Sequence, residues 1–270
     1  MSFIVAIDGP AGTGKGTVTK ILSEKLKLIN IDTGAMYRCV TLDMLNKGIK
    51  LEELDKIKEL LENIKIDMKK EEDKDLVFLN GEDVTDKIRS KEVSELVSQV
   101  SSIKEVRFKM VDLQRKMADG KEVIMEGRDI GTYVFPSADV KIYLDADLEE
   151  RAKRRFKQNK EKGINMPYVD VLENIKMRDE NDKAKEIGTL KLAHDAEVID
   201  STSMSINQVV HEIEHIIKKK KNEIKMQEKI YKERKETAWK KFERKIVKVI
   251  LVTVYRIAYR VKIRGNVPEE

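Results

Sequence analysis

Gly9-Pro10-Ala11-Gly12-Thr13-Gly14-Lys15-Gly16-Thr17 follows directly on the apolar run Ile4-Val5-Ala6-Ile7-Asp8. A strand that runs into G-x-x-x-x-G-K is a phosphate loop of a nucleoside-triphosphate enzyme. Glycines let the backbone curl so that its N–H groups point inward at phosphate oxygens. A helix opening near Gly14 adds the positive end of its dipole. Lys15 adds a full charge against the β- and γ-phosphates. The residue after the lysine is Gly16, and the hydroxyl comes one place later, at Thr17. The usual direct magnesium ligand of the motif is therefore displaced.

Three further groups could do chemistry. Asp32-Thr33-Gly34-Ala35-Met36-Tyr37-Arg38 offers an N-cap hydroxyl, a helix start and an arginine one turn on. This suits the phosphate of a second substrate, and equally an ordinary cap. Glu126-Gly127-Arg128-Asp129-Ile130-Gly131 closes a second apolar run. Asp129 at a strand's carboxyl end could read a base amino group or support a metal; Arg128 could hold a phosphate; the two could also pair on the surface. Arg151, Arg154 and Arg155 share a helical face, with Lys153 and Lys157 nearby. Arginines that close over a transferring phosphoryl group neutralise the charge it develops. Arg178-Asp179-Glu180-Asn181-Asp182 follows downstream.

Other candidates read as structure. His211-Glu212-Ile213-Glu214-His215 has the H-E-x-x-H spacing of zinc proteases. It runs into Lys218–Lys221 with no third ligand in sight, so a solvated helical face is expected. His194 has no partner pattern. Cys39 sits among apolar neighbours and reads as a buried thiol. No internal disulfide can form from one cysteine, which suits a reducing cytosol. No basic, apolar leader precedes the first strand, so a cytoplasmic protein is expected.

The elements that must position these groups alternate. Strands are expected at 3–8, 28–31, 122–126, 139–144 and 197–200. Helical periodicity fits 14–27, 34–47, 52–63, 91–118, 147–162, 168–186 and 205 onward. That is an α/β fold with a parallel sheet. Residues 64–68, 76–79 and 82–84 break the alternation as short strands, with Asn80-Gly81 as a hairpin turn. This small antiparallel insert, about 64–103, is either decoration or a lobe that covers substrate. Charged residues make up 38% and aromatics 5%, which favours a helix-rich protein over a β-sandwich.

In order, IDGPAGTGKGT, DTGAMYR, NGEDVTDKIR, SQVSSIKEVR, EGRDIGTYVFPSADVKIYLDA, ERAKRR, RDENDKAK and VIDSTSMSINQV resemble the bacterial cytidylate kinases over residues 3 to about 217. The resemblance implies a nucleoside monophosphate kinase fold on 1–217 that phosphorylates CMP and dCMP. It implies ATP on residues 9–17 as co-substrate, with Mg2+ held mostly by phosphates and water and by no dedicated protein site. It implies cytosine contacts from Ser98, Arg107 and Asp129, and acceptor-phosphate contacts from Arg38 and Arg128. Arg178 and Asp182 would meet the ribose, with Thr33, Tyr37 and Lys185 completing the CMP site. Lys15, Arg128, Asp129, Arg151 and Arg155 would be the catalytic set, and Arg151, Arg154 and Arg155 the lid, Arg154 on the ATP side. A monomer is expected. Where the family commonly carries Arg, this chain has Lys185, a point charge in place of a two-pronged fork.

Residues 218–270 hold 18 lysines and arginines against 7 acidic residues, while residues 1–217 hold 36 against 42. The basic excess belongs to the tail. Residues 218–245 read as a long charged helix or linker. Residues 246–261, IVKVILVTVYRIAYRV, are too short and interrupted for a membrane span. With Trp239 and Phe242 upstream, they suit an interfacial helix or a docking segment. The ending RVKIRGNVPEE resembles the approach to a lysophosphatidic acid acyltransferase domain, without its HxxxxD motif; part of a fusion or a vestigial anchor would both give it. Two other function classes stay open: another small-acceptor kinase with this loop, and a basic binding module for membrane or RNA. The negative body argues against nucleic acid.

Overall fold

The computed structural model describes residues 2–71, 74–161 and 163–264, with backbone alone for Ala238 and residues 256–264. Residues 265–270, the close of the RVKIRGNVPEE stretch, lie outside the described residues. Two compact units result, Met1–Ile217 and Lys218–Glu270.

The first unit is built on a five-stranded parallel sheet in the order β2-β6-β1-β7-β8. Its strands are β1 (Phe3–Asp8), β2 (Ile29–Asp32), β6 (Glu122–Gly127), β7 (Val140–Asp145) and β8 (Glu197–Asp200). β1 lies in the centre, with Val5 paired to Ile124 on one side and to Val140 on the other. Val5, Ala6, Ile7, Ile124, Met125 and Leu144 are fully buried. Central strands of a helix-covered parallel sheet are apolar on both faces, which is why these runs read as continuous. The order reverses at β1, so the carboxyl ends of β1, β2 and β6 open onto one crevice.

Helices α1 (Lys15–Leu26), α2 (Thr33–Asn46), α3 (Leu54–Asn63), α6 (Leu148–Glu161) and α7 (Tyr168–Ala184) fall near their expected places. The antiparallel insert is β3 (Ile66–Glu71), β4 (Lys74–Leu79) and β5 (Glu82–Asp83). Leu79 pairs with Glu82 across Asn80 and Gly81, both at positive φ, the two-residue turn that Asn-Gly favours. β3 and β4 each extend further toward one another than the alternation suggested.

Two expectations need correction. The helix read over 91–118 is two, α4 (Lys91–Val100) and α5 (Lys104–Ala118). Ser101 and Ser102 both donate their hydroxyls to the Ser98 carbonyl, at 2.9 and 3.0 Å. Such back-bonding competes with the helical ladder and ends α4. The second correction concerns α2. Its cap is the Asp32 carboxylate, which accepts from the Ala35 N–H at 2.9 Å. The Thr33 hydroxyl instead donates to the Glu126 carbonyl of β6 at 2.6 Å. The last helix, α8, runs from Ile206 to Arg264.

Candidate active site

The phosphate loop leaves the end of β1. Gly9 has φ of 149°, and a Cβ there would stand 2.0 Å from the Leu144 carbonyl oxygen of β7. Only glycine passes this point. Gly14 caps α1 in the left-handed region with no side-chain hydrogen bond. The first N–H groups of α1 are thus left for a ligand anion. Lys15 is buried and donates to the carbonyls of Gly9 and Pro10 at 2.8 and 2.6 Å, and to the Thr13 hydroxyl at 3.2 Å. Burial, with Arg128 close by, lowers its pKa to about 7.

Glu126, at the end of β6, faces this lysine. Burial and the nearby Asp32 raise its carboxyl to about 7, while Lys15 and Arg128 oppose the rise. Glu126 also explains the departure in the loop. A Cβ on Gly16 would meet Glu126 Oε1 at 2.8 Å, so a serine or threonine there would displace the carboxylate. Asp8 closes β1 by accepting the N–H groups of Ile130 and Gly131, at 2.8 and 2.7 Å. The end of β1 therefore fixes the chain just past Asp129.

Beside the loop lies a cavity of about 330 Å³. Thr33, Tyr37, Arg38, Ser98, Arg107, Arg128, Asp129, Arg178, Asp182 and Lys185 all line it. The break between α4 and α5 brings Ser98 and Arg107 to the same wall. Arg107 pairs with Asp129, both side chains nearly fully buried. The Tyr37 ring supports the Arg107 guanidinium at 5.6 Å. Burial raises Asp129 to about 6 against the pull of Arg107. Ser98 Oγ and Arg107 Nε are buried without a hydrogen-bond partner in the protein. Buried polar atoms of this kind, facing a cavity, are ready to bind a polar ligand edge.

Arg128 and Asp129 do not pair with each other. Arg128 Nε donates to Asp182 at 2.7 Å, and Lys185 donates to the other Asp182 oxygen at 2.7 Å and to Ser101 Oγ at 3.0 Å. Burial works against the Asp182 charge, but Arg128 and Lys185 outweigh it and hold the pKa at about 2. Arg178 has less relief. Its pKa falls to about 10 through burial and the positive charges of Arg128 and Arg38. Arg38 and Arg155 are lowered as well, by burial and by neighbouring arginines. Arg38 is aimed by the Ser94 hydroxyl, which accepts from it at 2.9 Å. Guanidiniums that crowd one another in this way make a site for a multiply charged anion.

The arginines of α6 part company. Arg155 lines the cavity. Arg151 is buried against the loop, donating to the Ala11 carbonyl at 2.9 Å and to Asp179 at 2.5 Å. Arg154 turns to Ser201 and Thr202 past the end of β8, donating to the Ser201 carbonyl at 2.6 Å. Sequence reasoning did not single out Glu126, Ser94, Ser101 or Asp179. Glu126, Ser101 and Asp179 stand inside motifs already noted, without a role of their own; nothing local marked Ser94.

Residues 5–219 match the family model of cytidylate kinases. The chain belongs to the cytidylate kinase family. The cytidylate kinase of Caldicellulosiruptor saccharolyticus is 53% identical over 209 residues, covering 77% of this chain and 92% of that protein. Those of Fusobacterium nucleatum and Bacillus subtilis are 46% and 44% identical, covering 82% and 80% of this chain and 99% and 96% of theirs. The chain is thus a nucleoside monophosphate kinase, of a family that carries out ATP-dependent phosphoryl transfer. In the H-E-x-x-H stretch, His211 and His215 are exposed, and Glu214 between them pairs with Lys25 at 2.6 Å. Cys39 is fully buried in α2, and burial pushes its thiol up to about 12, away from nucleophilic chemistry.

Magnesium takes oxygen ligands and keeps several waters when phosphates share it. The oxygens beside Gly16 suit that habit: the exposed hydroxyl of its neighbour Thr17 and the Glu126 carboxylate.

Proposed function

We propose that this cytidylate kinase transfers the γ-phosphoryl group of ATP to CMP and dCMP, giving ADP with CDP or dCDP. The observation that carries the reading is one cavity with two kinds of wall. One wall holds the Arg107–Asp129 pair and the unpartnered Ser98 Oγ, a set that can read a base edge. The other holds Arg38, Arg128, Arg155 and Arg178, a set for phosphate.

Catalysis here is alignment and charge stabilisation, with no covalent intermediate. Asp129 accepts from the cytosine amino group, with Ser98 and Arg107 on the remaining polar atoms. Arg38 and Arg128 hold the acceptor phosphate, and Asp182 and Arg178 meet the ribose. Lys15 and the loop N–H groups hold the ATP phosphates. Arg155, on α6 at the cavity, neutralises charge as the phosphoryl group moves. Thr17 and Glu126 would lie beside a Mg2+ ion carried with ATP, and that ion would share the neutralisation. The chain acts as a monomer in the cytoplasm, where the buried Cys39 thiol suits a reducing compartment.

An assay of ADP release over CMP, dCMP, UMP and AMP tests this. CMP and dCMP turn over fastest; fastest turnover with AMP overturns the assignment of the base-reading wall.

A further inference from the structure

We infer that the distal part of α8 is a docking surface for an anionic lipid bilayer, which it meets lying in the plane of the headgroups. Once residues 239–255 are helical, Trp239, Phe242, Ile246, Val249, Ile250 and Val254 fall on one stripe. All six are exposed, from 43% for Ile246 to 60% for Val249. The stripe is about 22 Å long at the rise of a helix. A contiguous exposed apolar face of that length marks an interaction surface.

The indole N–H of Trp239 and the hydroxyl of Thr253, both on the stripe, have partners within the helix. Glu243 accepts the Trp239 indole N–H at 2.8 Å. The Thr253 hydroxyl donates to the Val249 carbonyl one turn back at 2.9 Å. Both can enter an apolar boundary at reduced desolvation cost. Trp239 and Phe242 stand in ring contact, centroids 5.8 Å apart, at one end of the stripe. Amphipathic aromatic rings of this kind settle at the level of lipid headgroups.

The opposite face names the partner. Lys241, Arg244, Lys245 and Lys248 follow one another at i, i+3, i+4 and i+7. Between Trp239 and Tyr255 there are five basic residues against the single acidic Glu243. An apolar stripe backed by lysine and arginine is the pattern of a helix that rests on anionic lipid. A second copy of the tail would bring the same basic face against itself, which charge repulsion opposes. Nucleic acid would use the lysines and leave the apolar stripe in water. No helix of the described residues is long and apolar enough to cross a membrane, so the contact is peripheral.

Trp239 is the sole tryptophan, so its fluorescence reports this surface in the full chain. Mixed with phosphatidylglycerol vesicles, the chain should sediment with them and its emission should shift to the blue; with pure phosphatidylcholine it should do neither. Raising the salt concentration should weaken the binding. Ile246→Glu/Ile250→Glu should lower vesicle affinity by at least about tenfold. Lys241→Gln/Lys245→Gln/Lys248→Gln should lower it roughly fivefold per charge removed. Kinase activity should stay unchanged in both variants. Absence of vesicle binding overturns the inference, as does binding that the glutamate variant retains. A blue shift without lipid that grows with protein concentration assigns the stripe to a second copy. An equal shift with polyuridylate assigns the face to RNA. Either result overturns the lipid surface.

Discussion

Asp129 is a carboxylate whose burial brings its protonation into the working pH range. Its pKa of about 6 lies above the ordinary 3.8, so the folded chain binds this proton more tightly than the unfolded one. Between those values stability falls as pH rises, and the cost is absent below 3.8. Activity runs the other way. Below about pH 6 the acceptor proposed for the cytosine amino group is lost, and kcat/KM for CMP should fall toward about tenfold per pH unit. A thermal melt at the same pH values separates this limb from unfolding, because Asp129 protonation does not destabilise the fold. Asp129→Ala should remove the limb and cut the CMP:UMP ratio of kcat/KM by at least about 100-fold. An unchanged ratio would show that Asp129 does not read the base. Lys15 tests the other substrate. Lys15→Ala should lower kcat on the order of 1,000-fold, because it removes the charge proposed to serve the transferring phosphates. Circular dichroism should show the fold retained. Near-normal turnover would refute the role given to the loop.

At the scale of elements, α6 and α7 are braced to the phosphate loop by one buried ion pair. Asp179 of α7 accepts the Ala11 N–H at 3.1 Å with one oxygen and Arg151 of α6 at 2.5 Å with the other. Arg151 returns to the Ala11 carbonyl at 2.9 Å. The two side chains are 8% and 11% exposed, so removing one leaves the other charged in a dry place. Asp179→Ala should destabilise by about 3 kcal/mol. The melting temperature should drop by roughly 10 °C for a unit of this size. It should also raise KM for ATP more than KM for CMP, since the loop loses its brace while the acceptor wall stays. A stability loss under about 0.5 kcal/mol would place the pair among exposed ion pairs of little consequence.

At the scale of the whole molecule, catalysis and the basic tail should separate. The family match ends at residue 219, and the cavity draws every lining residue from before that point. The sheet is complete with β8 at Asp200. A chain of residues 1–219 should therefore keep kcat for CMP within about twofold, since none of the groups proposed for alignment and charge stabilisation is removed. Steady-state kinetics on both chains check this. A collapse of activity with loss of the cooperative melt would show that the tail half of α8 is needed to complete the fold.

What the sequence determined by itself was local. The phosphate loop is one consecutive run, so its nine residues carry their own geometry. The strand and helix periods set the α/β class, and Asn80-Gly81 set its hairpin. The acceptor residues were named through family resemblance, because their partners are far apart in the chain: Arg107 meets Asp129 across 22 positions, and Arg128 meets Asp182 across 54. Tertiary structure alone decided the rest. It placed Asp179 under the loop from 168 positions away, set Glu126 against Gly16, and turned Arg154 aside while its neighbours on α6 faced the loop and the cavity. It also let two serines break what periodicity joined. The physical reason is common to these cases. A period fixes which face of an element a side chain occupies, but the order of strands in the sheet fixes what that face meets, and burial then decides which charges pair.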